Sequence, residues 1–211
     1  LRLECRESDI ASDSLILIDR ANAERLSTAE ADDWVVRFER GISQSLIKQY
    51  TNAVNSFTEA IRLNKANPFL YLNRATARAE MIDFISSIDN GYQRLSIESD
   101  PARRLQNAGT RSYDYSEAIS DLNKAIKLHP GVAYAYYNRA NLYALSGMLP
   151  EAADDYTKAI ELNPSFAEAY YNRGLLQIYM KDTRKGCLDI SKAGELGIKE
   201  AYKVLKMYSE Q

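Results

Sequence analysis

The chain has 211 residues, 45% of them apolar and 27% charged, with a formal charge of −2 at pH 7; that is long enough for a continuous core and too apolar for wholesale disorder. Both signs of charge are spread along it, which leaves no electrostatic footprint for nucleic acid or an anionic membrane. No stretch reaches the roughly 18 apolar residues of a membrane span, and Cys5 and Cys187, near opposite ends without a ligand cluster, suggest neither a disulfide framework nor a metal site.

In chain order, residues 1–33 come first. The opening Leu1-Arg-Leu-Glu-Cys5 alternates as a strand does, whereas Ser14 to Leu26 reads as a helix with Leu15, Ile18 and Leu26 on one side. This segment either caps the rest of the chain or ends an upstream domain. The chain opens on Leu1 rather than Met, with no signal-peptide pattern behind it. It therefore reads as the C-terminal part of a longer or processed protein. The compartment stays open: soluble, cytoplasmic or periplasmic, with any targeting sequence outside this stretch.

Beyond residue 33 a period takes over. Ala135–Arg139 spells AYYNR, and 34 residues later Ala169–Arg173 spells it again. Duplication at a spacing of about 20 to 50 residues marks a unit that stacks on its own copies. With Ala133 and Ala167 as position 1, small residues recur at position 8 (Ala140, Gly174), position 20 (Ala152, Gly186) and position 27 (Ala159, Ala193), and a large apolar residue at position 24 (Tyr156, Ile190). The spacings are helical and break once per unit, at Ser146-Gly147 in the first copy, with Pro150 in the opening turn of the next helix. Each unit is thus an A helix and a B helix.

The register runs backwards as well. Residues 34–67 place Gly41, Ala53, Phe57 and Ala60 correctly; residues 68–132 place Ala75, Ala118, Leu122 and Ala125 correctly once an insertion of 31 residues, at about 81–112, is allowed. The expected domain, 34–211, therefore holds repeats 34–67, 68–132, 133–166 and 167–200 and a closing helix over 200–209, with Tyr202, Leu205 and Met207 available for packing. Pro130 and Pro164 end B helices, and Ser165 with Glu168 is expected to form a capping box. Small residues let helices cross closely, and no pair buries its apolar face alone, so stability comes from stacking neighbours.

The 34-residue period, the small-residue pattern and the terminal His-Pro or Asn-Pro resemble the tetratricopeptide repeat, most closely in residues 133–200, where the wording resembles bacterial members. The resemblance implies an all-α, right-handed α-α superhelix of four helix pairs plus a C-terminal capping helix. It also implies a non-catalytic scaffold whose concave groove binds another protein or a peptide. Members that grip the C-terminal carboxylate of chaperones use lysines and an arginine in that groove; the comparable positions here are Phe38, Tyr134 and Asn138, so that clamp is not implied.

Two sets of side chains follow from the register. Arg74, Arg139 and Arg173 at position 7 align with Asp121, Asp155 and Asp189 at position 23, which reads as a structural salt bridge within each repeat. Tyr71, Tyr136 and Tyr170 at position 4 are expected in the interior seam, and position 5 (Leu72, Tyr137, Tyr171) on the concave face. Asn73, Asn138 and Asn172 at position 6 lack an in-register partner; they either capture the backbone of a bound peptide or hydrogen-bond to the neighbouring repeat. The rest of the expected groove is Phe38, Phe69, Tyr134, Asn141, Leu145, Glu168, Leu175, Ile178 and Tyr179, an aromatic and aliphatic trough suited to an apolar segment.

The insertion divides in two. Residues 81–96 could prolong the preceding helix, while 97–112, with Pro101, Gly109 and Arg103, Arg104 and Arg111, read as a loop. His129 precedes Pro130 in a turn, Cys187 has no nearby histidine, and no phosphate-binding glycine loop is present. The chain is therefore read as a non-enzyme with no cofactor, no metal and no nucleic-acid partner, and without direct membrane insertion. A structural role remains as the alternative, in which the groove receives the insertion, the N-terminal segment or a second copy in a homodimer.

Overall fold

The computed structural model describes the backbone of residues 33–95 and 113–209 and the side chains of 33–85 and 113–208. The strand and helix readings within residues 1–32 and the loop reading over 97–112 lie outside the described residues. Among the described residues the chain forms α1 (Trp34–Leu46), α2 (Tyr50–Leu63), α3 (Pro68–Leu95), α4 (Ser116–Leu128), α5 (Ala133–Leu145), α6 (Leu149–Leu162), α7 (Ala167–Tyr179), α8 (Thr183–Glu195) and α9 (Glu200–Ser209), and no strand. Each helix packs chiefly on the next, giving pairs α1–α2, α3–α4, α5–α6 and α7–α8, with α9 on α8. The first helices of successive pairs, α1, α3 and α5, also meet one another.

Small residues are where backbones approach. A Cβ built on Gly186 would lie 2.6 Å from the Gly174 carbonyl oxygen and 2.5 Å from Ile178 Cγ1, so α7 and α8 cross with no room for a methyl group. Gly186→Ala is accordingly expected to cost about 1–3 kcal/mol through forced separation of the two helices, read as a lowered chemical-denaturation midpoint. In α1, Gly41, at the position that Gly174 holds in α7, faces the Phe57 ring. Ala53, Phe57, Ala60, Ala140, Ala152, Tyr156, Ala159, Ile190 and Ala193 are all fully buried, so the recurring positions 8, 20, 24 and 27 make the spine of the core.

The turns inside three of the units share one geometry. In the first, Lys48 N–H donates to Ser45 O and Gln49 N–H to Gln44 O; in the third, Gly147 donates to Ala144 O and Met148 to Tyr143 O; in the fourth, Lys181 donates to Ile178 O and Asp182 to Gln177 O. This is the Schellman arrangement, whose C′ residue is left-handed and usually glycine. Gly147 (φ 78) conforms; Lys48 (φ 60) and Lys181 (φ 72) occupy the same conformation with a full side chain. The B helices end where proline approaches, at Leu128 and Leu162. The capping box does not form: Phe166 is the N-cap of α7 without a side-chain bond, and Ser165 N–H instead donates to Asn163 Oδ1.

The second unit departs from the others because its A helix does not stop. From Pro68 it runs 28 residues to Leu95, passing the place where the others turn. Its base is held by the Tyr50–Phe84 ring pair, with centroids 6.0 Å apart, and by Tyr115, whose hydroxyl donates to Asp83 Oδ1 at 3.4 Å. Burial pushes the Tyr115 phenol up to about 12, helped by the Asp83 charge, and burial also raises the Asp83 carboxyl. A carboxyl raised in the folded state stabilises below its unfolded value of 3.8 and loses that contribution as pH rises through the folded one. Because the Asp83 residue remains largely exposed, the effect is small: Asp83→Asn should remove the slight gain in melting temperature that Asp83 is expected to contribute on going from neutral to mildly acidic pH. A melting series across that range checks it.

α9 closes the array through Ala201, which is fully buried against α8. Of the residues expected to pack, Met207 is exposed and Leu205 half-buried, while Tyr202, though 62% exposed, lays its ring beside Gly194 and donates its hydroxyl to Gly194 O of α8 at 3.4 Å.

Candidate functional site

The arginines at position 7 each form a two-pronged bond with an aspartate of their own unit. Arg139 Nε and Nη2 donate to Asp155 Oδ2 and Oδ1 at 2.6 and 2.7 Å; Arg173 meets Asp189 at 2.7 and 2.9 Å; Arg74 meets Asp121 at 2.9 and 2.5 Å. The third nitrogen of each reaches back to the preceding B helix, to Thr58, Asn123 and Thr157 for Arg74, Arg139 and Arg173. These partners all fall at position 25, so each arginine ties its own helix pair to the previous one. Thr58, Asn123 and Thr157 are as periodic as the aspartates, and sequence reasoning missed them. Each guanidinium additionally lies over the position-4 ring of its unit, 5.9 Å from Tyr71, 5.6 Å from Tyr136 and 5.7 Å from Tyr170. The Arg139 guanidinium is held above its ordinary range, first by its bond to Asp155.

This arrangement corrects the placement of the tyrosines. Tyr136 and Tyr170 are only half-buried, lying under the arginines, whereas Tyr137, expected on the concave face, is 5% exposed. Its ring packs against Phe166 and Tyr156, with centroids 4.7 and 6.0 Å away. Two further expected groove residues join it inside. Asn172, 1% exposed, donates through Nδ2 to the Tyr137 hydroxyl and to Asn141 Oδ1, both at 3.1 Å; the Tyr156 hydroxyl donates to the same Asn141 oxygen at 2.6 Å. Position 6 of the fourth unit thus bonds to positions 5 and 9 of the third. A buried amide must find such partners or lose the full cost of its desolvation.

The other position-6 amides differ. Asn73 turns back on its own helix, donating to Phe69 O at 2.8 Å, and Asn138 is half-buried. Leu72 is buried; Phe38 and Phe69 are half-buried against the core. Of the expected groove residues, Tyr134, Asn138, Tyr171, Leu175 and Ile178 are each half-buried and stay partly open to solvent, with Leu145 at 50% and Tyr179 at 59% exposure. No lysine or arginine occupies the inward positions 2, 5, 6, 9, 12 and 13 of any unit; their only charges are Glu39, Glu80 and Glu168. Burial, with the nearby charge of Asp33, raises the Glu39 carboxyl. Among the described residues no group of three or more His, Cys, Asp or Glu is placed to hold a metal, and no helix is long and apolar enough to cross a membrane.

Models of the tetratricopeptide-repeat family match residues 133–166 and 155–190. Among curated proteins the chain is similar to dynein axonemal assembly factor 4 of Rattus norvegicus, 24% identical over 148 residues, which cover 59% of this chain and 35% of that protein. The chain thus spans about a third of the length of the curated relatives it matches. Among solved structures, the Arabidopsis OM64 TPR domain is 27% identical with a TM-score of 0.52, covering 69% of this chain and 95% of its own. MamA is 21% identical with a TM-score of 0.59, covering 93% and 99%. The first TPR of Spaghetti (RPAP3), bound to the HSP90 peptide SRMEEVD, is 23% identical with a TM-score of 0.52, covering 72% and 97%. With the period, the small-residue crossings and the stacked pairs, these matches place tetratricopeptide repeats at residues 133–190 within an all-α superhelical fold.

Proposed function

We propose that the chain is a non-catalytic interaction scaffold whose concave face receives an apolar segment of another protein. The observation that carries this reading is the line of partly open aromatic and aliphatic side chains on the A helices, Tyr134, Tyr171, Leu175, Ile178 and Tyr179, next to inward positions that hold carboxylates and no cation. Apolar surface of this kind is costly to leave in water and is the usual mark of a binding face. The similar RPAP3 domain is described with a peptide ending in Glu-Glu-Val-Asp. An acidic peptide of that sort finds no positive partner among the inward positions here, so the favoured ligand is neutral or basic.

The test compares capture from native lysate by the wild-type chain and by Tyr134→Glu with Tyr171→Glu, neither of which takes part in the hydrogen bonds joining the buried Tyr137, Asn141 and Asn172. Helicity is matched by circular dichroism. A protein retained by wild type and lost by the variant supports the reading. Equal retention, or a stable dimer that captures nothing, overturns it.

A further inference from the structure

The α1 end of the concave face carries a carboxylate that the fold leaves without a counter-ion. Position 6 is asparagine in the second, third and fourth units and glutamate, Glu39, in the first. Glu39 is half-buried and forms no ion pair among the described residues. Burial and the charge of Asp33 both push its carboxyl up, and no cation pulls it back. The arginines of the adjoining helices are committed elsewhere, Arg37 to Glu59 and both Arg74 and Arg78 to Asp121. Arg40, the next residue, leaves α1 about 100° round from Glu39 and is exposed. Asp33 has a local task, since its side chain accepts from Val35 N–H and caps α1. No such task falls to Glu39 among the described residues.

What surrounds this charge says which ligand it suits. The rings of Trp34, Phe38 and Phe69 lie half-buried against one core cluster at the same end of the array. A carboxylate among aromatic rings favours a cation twice over, by the opposite charge and by the ring faces. An anionic group would meet repulsion here and again at Glu80 and Glu168, the other charges at inward positions. A ligand without charge would leave the half-buried Glu39 still without a partner. We propose that the segment bound in the groove is basic: a lysine or arginine pairs with Glu39, and flanking apolar residues cover Tyr134, Tyr171 and Leu175. This rests on the groove reading above and narrows its ligand from neutral or basic to cationic.

The probe is a random library of short peptides displayed on phage and panned on the whole chain. Wild type should enrich sequences with a lysine or arginine between apolar residues; Glu39→Lys should enrich aspartate or glutamate there instead. For the best wild-type peptide, Glu39→Gln should weaken binding about fivefold or more in titration calorimetry. Replacing the peptide's cation by glutamine should cost about as much, and the two losses should not add, because they remove one contact. Glu151→Gln, the same charge change on exposed α6, should bind as wild type does. Tyr171→Ala with Leu175→Ala should weaken every peptide whatever its charge, which reports on the groove alone. Peptides that need Tyr171 and Leu175 but show no charge preference, an acidic preference, or losses that add would overturn the inference and leave the groove reading standing. Peptides indifferent to Tyr171 and Leu175, or no enrichment at all, would overturn both.

Discussion

Asp121→Ala should be among the most damaging single changes in this chain, lowering stability by about 3 kcal/mol. Asp121 is buried and serves two arginines: Arg74 through a two-pronged bond, and Arg78, which ion-pairs to its Oδ2 and also to Glu117. Removing the carboxylate leaves two neighbouring guanidiniums, 14% and 18% exposed, of which Arg74 loses its carboxylate partner and Arg78 keeps only the exposed Glu117. Their partial exposure is why the figure sits at the lower end for a broken buried pair. Asp155→Ala and Asp189→Ala strand one arginine each and should cost less. Asp121→Ala combined with Arg74→Leu and Arg78→Leu should recover part of the loss, because the penalty comes from the unpaired charges. Denaturant midpoints for the five proteins, wild type included, check the order.

The solenoid was readable because its period is enforced by contact. Wherever two backbones approach, as Gly174 and Gly186 do, only small residues fit, so the pattern survives in the letters. The arginine–aspartate pairs were readable for the same reason, being in register in three units. Their reach to position 25 was equally periodic in Thr58, Asn123 and Thr157, but it crosses between units, and pairing within one unit had already accounted for the charge. The concave residues were harder. A helical position states which way a side chain leaves its axis, not how near the next A helix comes. Tyr137, Asn141 and Asn172 leave toward the groove and are covered because the fourth unit closes on the third. The same position in the second unit, Asn73, satisfies itself on its own helix. Nor does residue identity announce a left-handed lysine; Lys48 and Lys181 become notable only beside Gly147 in an identical motif.

Tyr156→Ala is the second large effect, at about 4 kcal/mol. The side chain is fully buried, among the largest so placed, and it does two jobs. Its ring fills position 24 against Tyr137, and its hydroxyl donates to the Asn141 oxygen that also accepts from Asn172. Tyr156→Phe keeps the volume and removes only the hydroxyl, leaving Asn141 its bond from Asn172, and should cost about 1 kcal/mol. The difference between the two substitutions therefore measures packing apart from the polar network. Because a stacked array is stabilised chiefly between neighbours, the loss should also be local. In native-state hydrogen exchange of Tyr156→Ala, amides of α5, α6 and α7 should open at far lower cost, while those of α1 and α2 keep wild-type protection. Uniform loss of protection along the array would show that the four units unfold as a single cooperative block, and that the seam between the third and fourth is no weaker than the rest.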